Sequence, residues 1–313
     1  MFEAHARPLI AIVGPTGVGK TALAVRLAQA FNGEIVSADS RQFYRGMDIG
    51  TAKPTPAEQG AARHHLVNIA DPDETVSLAQ FQRLARAAID DIHARARLPL
   101  IVGGTGQYLW ALLEGWDVPA VPPDLALRDR LYARAEAEGG PALYAELVAI
   151  DPVAAEGIDP RNVRRVVRAL EVYHVTGRPF SAARTKSPPA YATLILGLTL
   201  DRAALYPRLD ARIDRMIEAG LVDEVRRLVT DGYGFDLPAM SALGYAELAP
   251  VLGGEASLAD AVATIKRNTR RFVRAQGAWF RAADPRIHWL NVASDVYPAA
   301  AAMIAGWLGG AAP

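Results

Sequence analysis

After a short lead, the chain opens on an apolar run, Leu9 to Val13, that is broken at once by closely spaced glycines. Ala22 to Ala30 follows as a helix-forming stretch, and Glu34 to Ala38 reads as a second short strand. Between Ser77 and Ala96, the residues Leu78, Phe81, Leu84, Ala88, Ile89 and Ile92 recur at roughly helical spacing, with Ser77 placed as the cap. Leu100 to Val102 is a third strand, closed by Gly103 and Gly104; Thr193 to Leu200 and Ile287 to Leu290 read as later ones. Strands alternating with helices predict a parallel sheet covered on both faces.

At Trp116 the pattern changes. Pro119, Pro122 and Pro123 interrupt it, a charge-rich helical stretch runs to about Gly177, and Pro179, Pro188 and Pro189 punctuate a polar segment before the next strand. The predicted organisation is an α/β core over residues 1–115 and 191–313, with a helical insertion domain over 116–190. Prolines that merely mark long loops are the alternative. Composition narrows the class further. Half of the 313 residues are apolar, which excludes wholesale disorder. Basic and acidic side chains balance at 34 each, so only the local distribution of charge can speak about partners. There is no cysteine, which excludes disulfides and zinc-thiolate sites and is compatible with a cytoplasmic location. The first apolar strand starts near Pro8, leaving no room for a signal peptide before it. The uncharged end, Val296 to Pro313, is broken by Pro298, Gly306, Gly309 and Gly310 and reads as a packed terminal helix rather than a membrane span.

Charge is not spread evenly. Arg161, Arg164, Arg165 and Arg168 share one helix face, with Val163, Val166, Val167 and Leu170 opposite. Arg267, Arg270, Arg271 and Arg274 repeat the pattern, with Ile265, Phe272, Trp279 and Phe280 across from them. Neither stripe includes an acid, which favours contact with a phosphate backbone over an ordinary solvated face.

The strongest chemical signal is a complete phosphate loop. Gly14, Pro15, Thr16, Gly17, Val18, Gly19, Lys20 and Thr21 fit G-x-x-x-x-G-K-[ST], after a predicted strand and before a helix. Its glycines let backbone N–H groups converge on phosphate oxygens, with the positive end of the helix behind them. Lys20 would reach terminal phosphates and the Thr21 hydroxyl would hold Mg2+. A triphosphate-cleaving enzyme also needs a strand-end acid to order its metal, but Leu100 to Val102 ends in Gly103-Gly104-Thr105. Asp39, after Glu34 to Ala38, is the acid at a suitable strand end, and serves as metal organiser, base or strand-end cap. Arg208 and Arg212 lie four apart, placed either to add a cation to the site or to pair with Asp210 and Asp214. His64-His65 has no third ligand in sight, so a packed pair is favoured over a metal site.

Taken in order, these residues resemble the bacterial tRNA dimethylallyltransferases. The likeness runs through Gly14–Thr21, Ser37-Ala-Asp-Ser-Arg-Gln-Phe-Tyr44, Met47-Asp-Ile-Gly-Thr-Ala-Lys-Pro54, Gly103-Gly-Thr-Gly-Gln-Tyr108, Arg168-Ala-Leu-Glu-Val172, Gly244-Tyr245, and Gln276 with Trp279. It implies a P-loop NTPase-like core that binds the diphosphate of dimethylallyl diphosphate rather than a triphosphate. The prenyl group would pass to the exocyclic N6 amine of adenosine at tRNA position 37. Asp39 would take the amine proton, Thr105 would position diphosphate or amine, and Arg212 would add a cation. Contacts with tRNA are implied for Asp39, Ser40, Arg41, Gln42, Arg128, Arg164, Arg165, Arg168, Arg274, Gln276 and Arg281, and a monomer is implied. Arg41 to Tyr44 are placed to hold the extruded base, although Phe43 and Tyr44 suit a core equally well. Ala239-Met-Ser-Ala-Leu243 stands where many relatives carry a basic residue, which weakens the case for a phosphate contact there. The rival readings are a P-loop small-molecule or nucleotide kinase and a prenyltransferase acting on free adenine nucleotide.

Overall fold

A computed structural model describes residues 7–118, 121–182, 186–187 and 191–310. Pro119, Pro188 and Pro189, read above as breaks, lie outside the described residues. The chain divides into two compact units, Met1–Leu113 with Ala190–Pro313, and Glu114–Pro189.

The first unit is built on six strands: β1 (Pro8–Val13), β2 (Gly33–Ser37), β3 (His64–His65), β4 (Leu98–Val102), β5 (Ala192–Thr199) and β6 (Ile287–Asn291). They form one sheet in the order β3-β2-β4-β1-β5-β6, and every pairing is parallel. Parallel strands are covered on both faces, so β1 and β4 read as near-continuous apolar runs, and β2, Gly-Glu-Ile-Val-Ser, is buried along its whole length. On one face, Ile10 and Ile12 pack into a core with Leu23 and Leu27 of the helix Lys20–Ala30 and with Ile304 and Trp307 of the helix Tyr297–Leu308. The helix Leu78–Ala94, capped by the Ser77 side chain, packs on β2 and β4 and buries Phe81, Ile89 and Ile92. The terminal apolar stretch is thus a helix of 12 residues, and no helix among the described residues is long and apolar enough to cross a membrane.

The pair His64-His65 forms the short edge strand β3, registered on Ile35 and Val36. His65 Nε2 lies 2.7 Å from Glu34 Oε2 and His64 Nδ1 lies 2.8 Å from the Ala62 carbonyl, so each ring is held by a local partner. Among the described residues, no group of three or more His, Cys, Asp or Glu side chains could hold a metal ion.

The second unit is helical: Leu125–Glu138, Gly140–Ile150, Pro152–Glu156 and Val163–Thr176. Side-chain caps start three of these helices, from Asp124, Asp151 and Asn162, each accepting a backbone N–H three residues on. Leu131, Leu143, Leu147, Val166, Val167 and Leu170 make its separate core. A spacing of three and four places the three residues of Val163–Thr176 on one buried face.

Candidate active site

In a parallel sheet the carboxyl ends of the strands share one edge, and ligands bind in the crevice there. Three neighbouring strands deliver the candidate chemistry to that edge. β1 runs into Gly14–Thr21, β2 into Asp39, and β4 into Gly103–Thr105. The three loops line one cavity of about 470 Å³.

The P-loop is a tight structure. Gly14 has φ 138°, and a Cβ there would stand 2.5 Å from the Leu198 carbonyl oxygen, so no other residue fits. Gly19 is left-handed and offers no side-chain cap, leaving the N-terminal N–H groups of the helix Lys20–Ala30 facing the loop. Lys20 Nζ turns back to donate to the carbonyls of Gly14 (3.0 Å) and Pro15 (2.8 Å). Burial depresses its pKa to about 8; Asp39 opposes that shift and Arg212 adds to it. The loop is therefore an electropositive hollow whose own lysine bonds to carbonyls and forms no ion pair among the described residues.

Asp39 begins a tight turn in which its Oδ1 accepts the Arg41 N–H at 3.0 Å. The next amide, Ser40 N–H, donates to Thr105 Oγ1 at 3.2 Å and so fastens the turn after β2 to the turn after β4. The close approach requires glycine at 103, where a Cβ would lie 2.3 Å from the Ala38 carbonyl oxygen. Asp39 and Thr105 are thus set side by side on backbone that cannot shift freely.

The two arginines of the helix Arg202–Glu218 part company. Asp210 pairs with Arg270 and Asp214 with Lys266 (2.6 Å), both across to the helix Leu258–Gln276, so the interleaved acids do not neutralise Arg208 and Arg212. Arg212 lines the cavity, its pKa lowered by burial and by Arg215 but supported by Asp39. Arg208 is exposed and outside the lining. The same helix adds Leu209, Ile213 and Met216 to the cavity wall, which gains Leu221 and Ile265 from neighbouring helices. The cavity wall therefore combines cationic and apolar side chains.

Several residues placed by sequence lie elsewhere than expected. Gln42 is 9% exposed, donating to the Ala52 carbonyl (3.2 Å) and bonded to Ser37 Oγ (3.0 Å). Phe43 and Tyr44 are buried; Phe43 stacks on Phe81 and Tyr108, which settles them as core residues. Arg41 lines the cavity and donates to the Pro238 carbonyl at 2.8 Å and to Ser241 Oγ at 3.2 Å. Of the residues placed across from the second arginine stripe, Phe272 and Trp279 are 44% and 41% exposed and border the cavity, while Ile265 and Phe280 are buried. Gln276 is buried against the P-loop.

The arginine stripes are also less uniform than their spacing suggested, because acids outside the stripes reach them. Arg161 pairs with Asp159, and Arg270 with Asp210. Arg128 and Arg168 both grip the fully buried Glu171, whose carboxyl is penalised by burial yet held below the usual range by hydrogen bonds from these two guanidiniums. Arg164, Arg165, Arg271, Arg274 and Arg281 are exposed and form no ion pair among the described residues.

A further acid escaped the sequence reading. Glu224 is 3% exposed and accepts the N–H groups of Asp48 (2.9 Å), Ile49 (2.9 Å) and Gly50 (3.1 Å), and the Tyr245 hydroxyl at 2.6 Å. Burial and Glu224 together push the Tyr245 hydroxyl's pKa up. Lys53 supports the same loop through Asp48 Oδ1 (2.7 Å) and the Tyr44 carbonyl. Gly50 and Thr51, which this network positions, line the cavity. The available signal was an acid on an apolar face, since Leu221, Glu224, Val225 and Leu228 share the buried side of one helix.

For Mg2+, the donor set is small. Thr21, half-buried beside Lys20 in the first turn of the helix Lys20–Ala30, carries the hydroxyl that would hold it, and phosphate oxygens and water would fill its other positions. That arrangement suits Mg2+, which keeps several waters and shares substrate phosphates.

The IPP transferase family model matches residues 42–283. A tRNA dimethylallyltransferase of Roseiflexus sp. (strain RS-1) is 56% identical over 301 residues, covering 96% of this chain and 99% of its own. A solved tRNA isopentenylpyrophosphate transferase from Bacillus halodurans superposes with a TM-score of 0.70 at 42% identity, covering 97% of this chain and 96% of its own. A eukaryotic dimethylallyltransferase, solved in snapshots acting on tRNA, gives a TM-score of 0.82 at 28% identity over 98% of this chain and 81% of its own.

Proposed function

Since the chain belongs to the IPP transferase family, we propose that it is a tRNA dimethylallyltransferase, moving a dimethylallyl group from dimethylallyl diphosphate to the N6 amine of the adenosine beside the anticodon. One observation carries the reading: a phosphate loop, a carboxylate and an apolar wall meet in one cavity, on the carboxyl ends of adjacent strands. A prenyl diphosphate has the matching polarity, with an anionic head for the loop and a five-carbon tail for Leu209, Ile213 and Met216.

The chemistry follows from the placement. The adenine amine is a weak nucleophile because its lone pair is delocalised into the ring. Asp39 accepts its proton as nitrogen bonds to the allylic carbon and the carbon–oxygen bond to diphosphate breaks. A positioned base of this kind contributes roughly 100- to 10,000-fold. Charge developing on the departing diphosphate falls on the loop N–H groups, Lys20 and Arg212, which are preorganised at the cavity wall. Mg2+, held by Thr21 and phosphate oxygens, would add further neutralisation of that charge. Thr105 holds the turn that sets Asp39 and lies close enough to orient the amine or the head group.

The target base must leave its stack to reach the cavity. The exposed Arg164 and Arg165 of the helical unit, and Arg271, Arg274 and Arg281 of the core unit, are the candidates for backbone contact. Arg128 and Arg168 would serve there while still paired with Glu171. The helical unit, read from sequence as residues 116–190, is proposed as an RNA-contacting domain of a monomeric, cytoplasmic enzyme. The test is incubation of the purified protein with Mg2+, labelled dimethylallyl diphosphate and unmodified tRNA. Mass analysis should find one dimethylallyl group on a single adenosine. Labelling of free AMP, or ATP-dependent phosphorylation with no prenylation, would overturn the proposal.

A further inference from the structure

Gln276 ends the helix Leu258–Gln276 and is 5% exposed. Its side chain bonds to two loops distant in sequence. Oε1 accepts the Thr16 N–H at 2.9 Å, and Nε2 donates to the Gly104 carbonyl at 3.0 Å. One neutral amide thus ties the third residue of the P-loop to the turn after β4. The tie lies beside the loop lysine: a Cβ built on Gly104 would meet Gln276 Nε2 at 2.5 Å and Lys20 Nζ at 3.6 Å.

In a P-loop the lysine reaches the outermost phosphates of a bound nucleotide. Here the space beside that lysine is built over by the Gln276 amide, and the Thr16 N–H is already spent on it. The closure is not a loose arm. Trp110 Nε1 donates to the Trp279 carbonyl at 2.8 Å, and Trp279 lies so close over Gly106 that a Cβ there would stand 2.3 Å from its own. Seating a third phosphate would mean pulling Oε1 off the Thr16 amide and displacing an anchored segment. That leaves polar groups of a buried side chain without partners.

We propose that Gln276 closes the lysine end of the cradle and fixes its length at two phosphates, making it a specificity-determining residue for the donor rather than an RNA contact. The proposal rests on the reading of this cavity as a prenyl diphosphate site. It accounts for a complete P-loop in a site read as taking a diphosphate.

The experiment measures binding of inorganic pyrophosphate and inorganic tripolyphosphate, each with Mg2+ and without RNA, to wild type and Gln276→Ala. The pH is held below about 8, where Lys20 keeps its proton. Wild type should prefer pyrophosphate, and Gln276→Ala should narrow that preference about tenfold, the scale of one buried hydrogen-bond partner. Affinity for tRNA should stay at the wild-type level. Equal binding of both anions by wild type overturns the proposal, as does a variant that keeps the preference or loses tRNA affinity instead. Thermal melts report folding. Should Gln276→Ala fail to fold, Gln276→Asn, one methylene too short to span both partners, replaces it, and the wild-type comparison stands without any variant. Prenylation of tRNA by wild type is scored separately. An active enzyme without length preference removes only the Gln276 proposal, and length preference without prenylation removes only the functional one.

Discussion

Strand β2 has one acid near its start and another just past its end, and the two could hardly be treated more differently. Glu34, near its start, is 1% exposed and surrounded by cations: Arg95 bonds both carboxylate oxygens, His65 lies at 2.7 Å, and Arg97 and Arg63 stand at 3.2 and 4.0 Å. Burial alone would raise its pKa, but the bonds from Arg95 and His65 hold it down to about 2. Asp39, just beyond the other end, is half-buried, uses Oδ1 to fasten its own turn, and otherwise faces Lys20 and Arg212 in the cavity. A carboxylate with every lone pair committed holds structure and cannot do much else. Asp39 keeps Oδ2 outside that turn and on the cavity side, which is what the proposed role as base requires.

That contrast can be broken most decisively with Asp39→Ala. Prenyl transfer to tRNA should fall by roughly 100- to 10,000-fold while the melting temperature stays within a few degrees of wild type. Full activity in single-turnover assays would take Asp39 out of the mechanism. Glu34→Ala should do the opposite. Leaving four basic groups around an emptied site should cost about 3–5 kcal/mol in denaturant unfolding, with near-normal transfer per folded molecule. A variant as stable as wild type would show that the cluster is ornamental.

Acid sharpens the same comparison. The folded pKa of Glu34 is depressed, so its contribution is complete above its unfolded value and is lost as pH falls toward about 2. That loss amounts to roughly 3 kcal/mol across the window, and Glu34→Gln should flatten it in acid-unfolding titrations. At the cavity end, Arg212→Leu should weaken binding of dimethylallyl diphosphate by about tenfold to a hundredfold, and Arg208→Leu should leave it unchanged. Equal effects would mean that the exposed arginine also reaches the donor. The smallest effect concerns Lys20. Burial sets its pKa near 8 in the free protein, and a bound diphosphate favours the charged form and raises it. Donor affinity should therefore be steady below about pH 8 and weaken by up to tenfold per unit above it. Calorimetry at higher pH should detect proton uptake on binding. A flat profile would mean that the lysine is charged throughout.

Much of this was written plainly in the chain. The P-loop, its flanking strand and its helix follow from glycine spacing and an apolar run, and β4 and β5 follow from runs that need no partner to be recognised. Asp39 could be placed at a strand end, but not the Ser40–Thr105 hydrogen bond that fastens its turn to the one after β4. What sequence misread had a common cause, which is that pairing across elements leaves no periodic trace. Arg212 is separated from Arg208 by the cavity, which it lines and Arg208 does not, while Asp210 and Asp214 turn to a different helix. Arg168 and Arg128 looked like a free basic surface until Glu171 was found beneath them. Gln276 sits among arginines in sequence and against the P-loop in space, 260 residues from the amide it binds. Strand β3 has two residues, too few for any pattern, and it exists because Ile35 and Val36 offer it an edge.

The buried Glu224 has one more consequence. Two turns beside the cavity present converging peptide N–H groups, the P-loop and the segment Asp48–Gly50. The second has its anion supplied in cis, a carboxylate carried on a neighbouring helix, and so is neutralised before any substrate arrives. A molecule entering the cavity finds the second set of N–H groups already committed to Glu224, which leaves its negative charge to the P-loop.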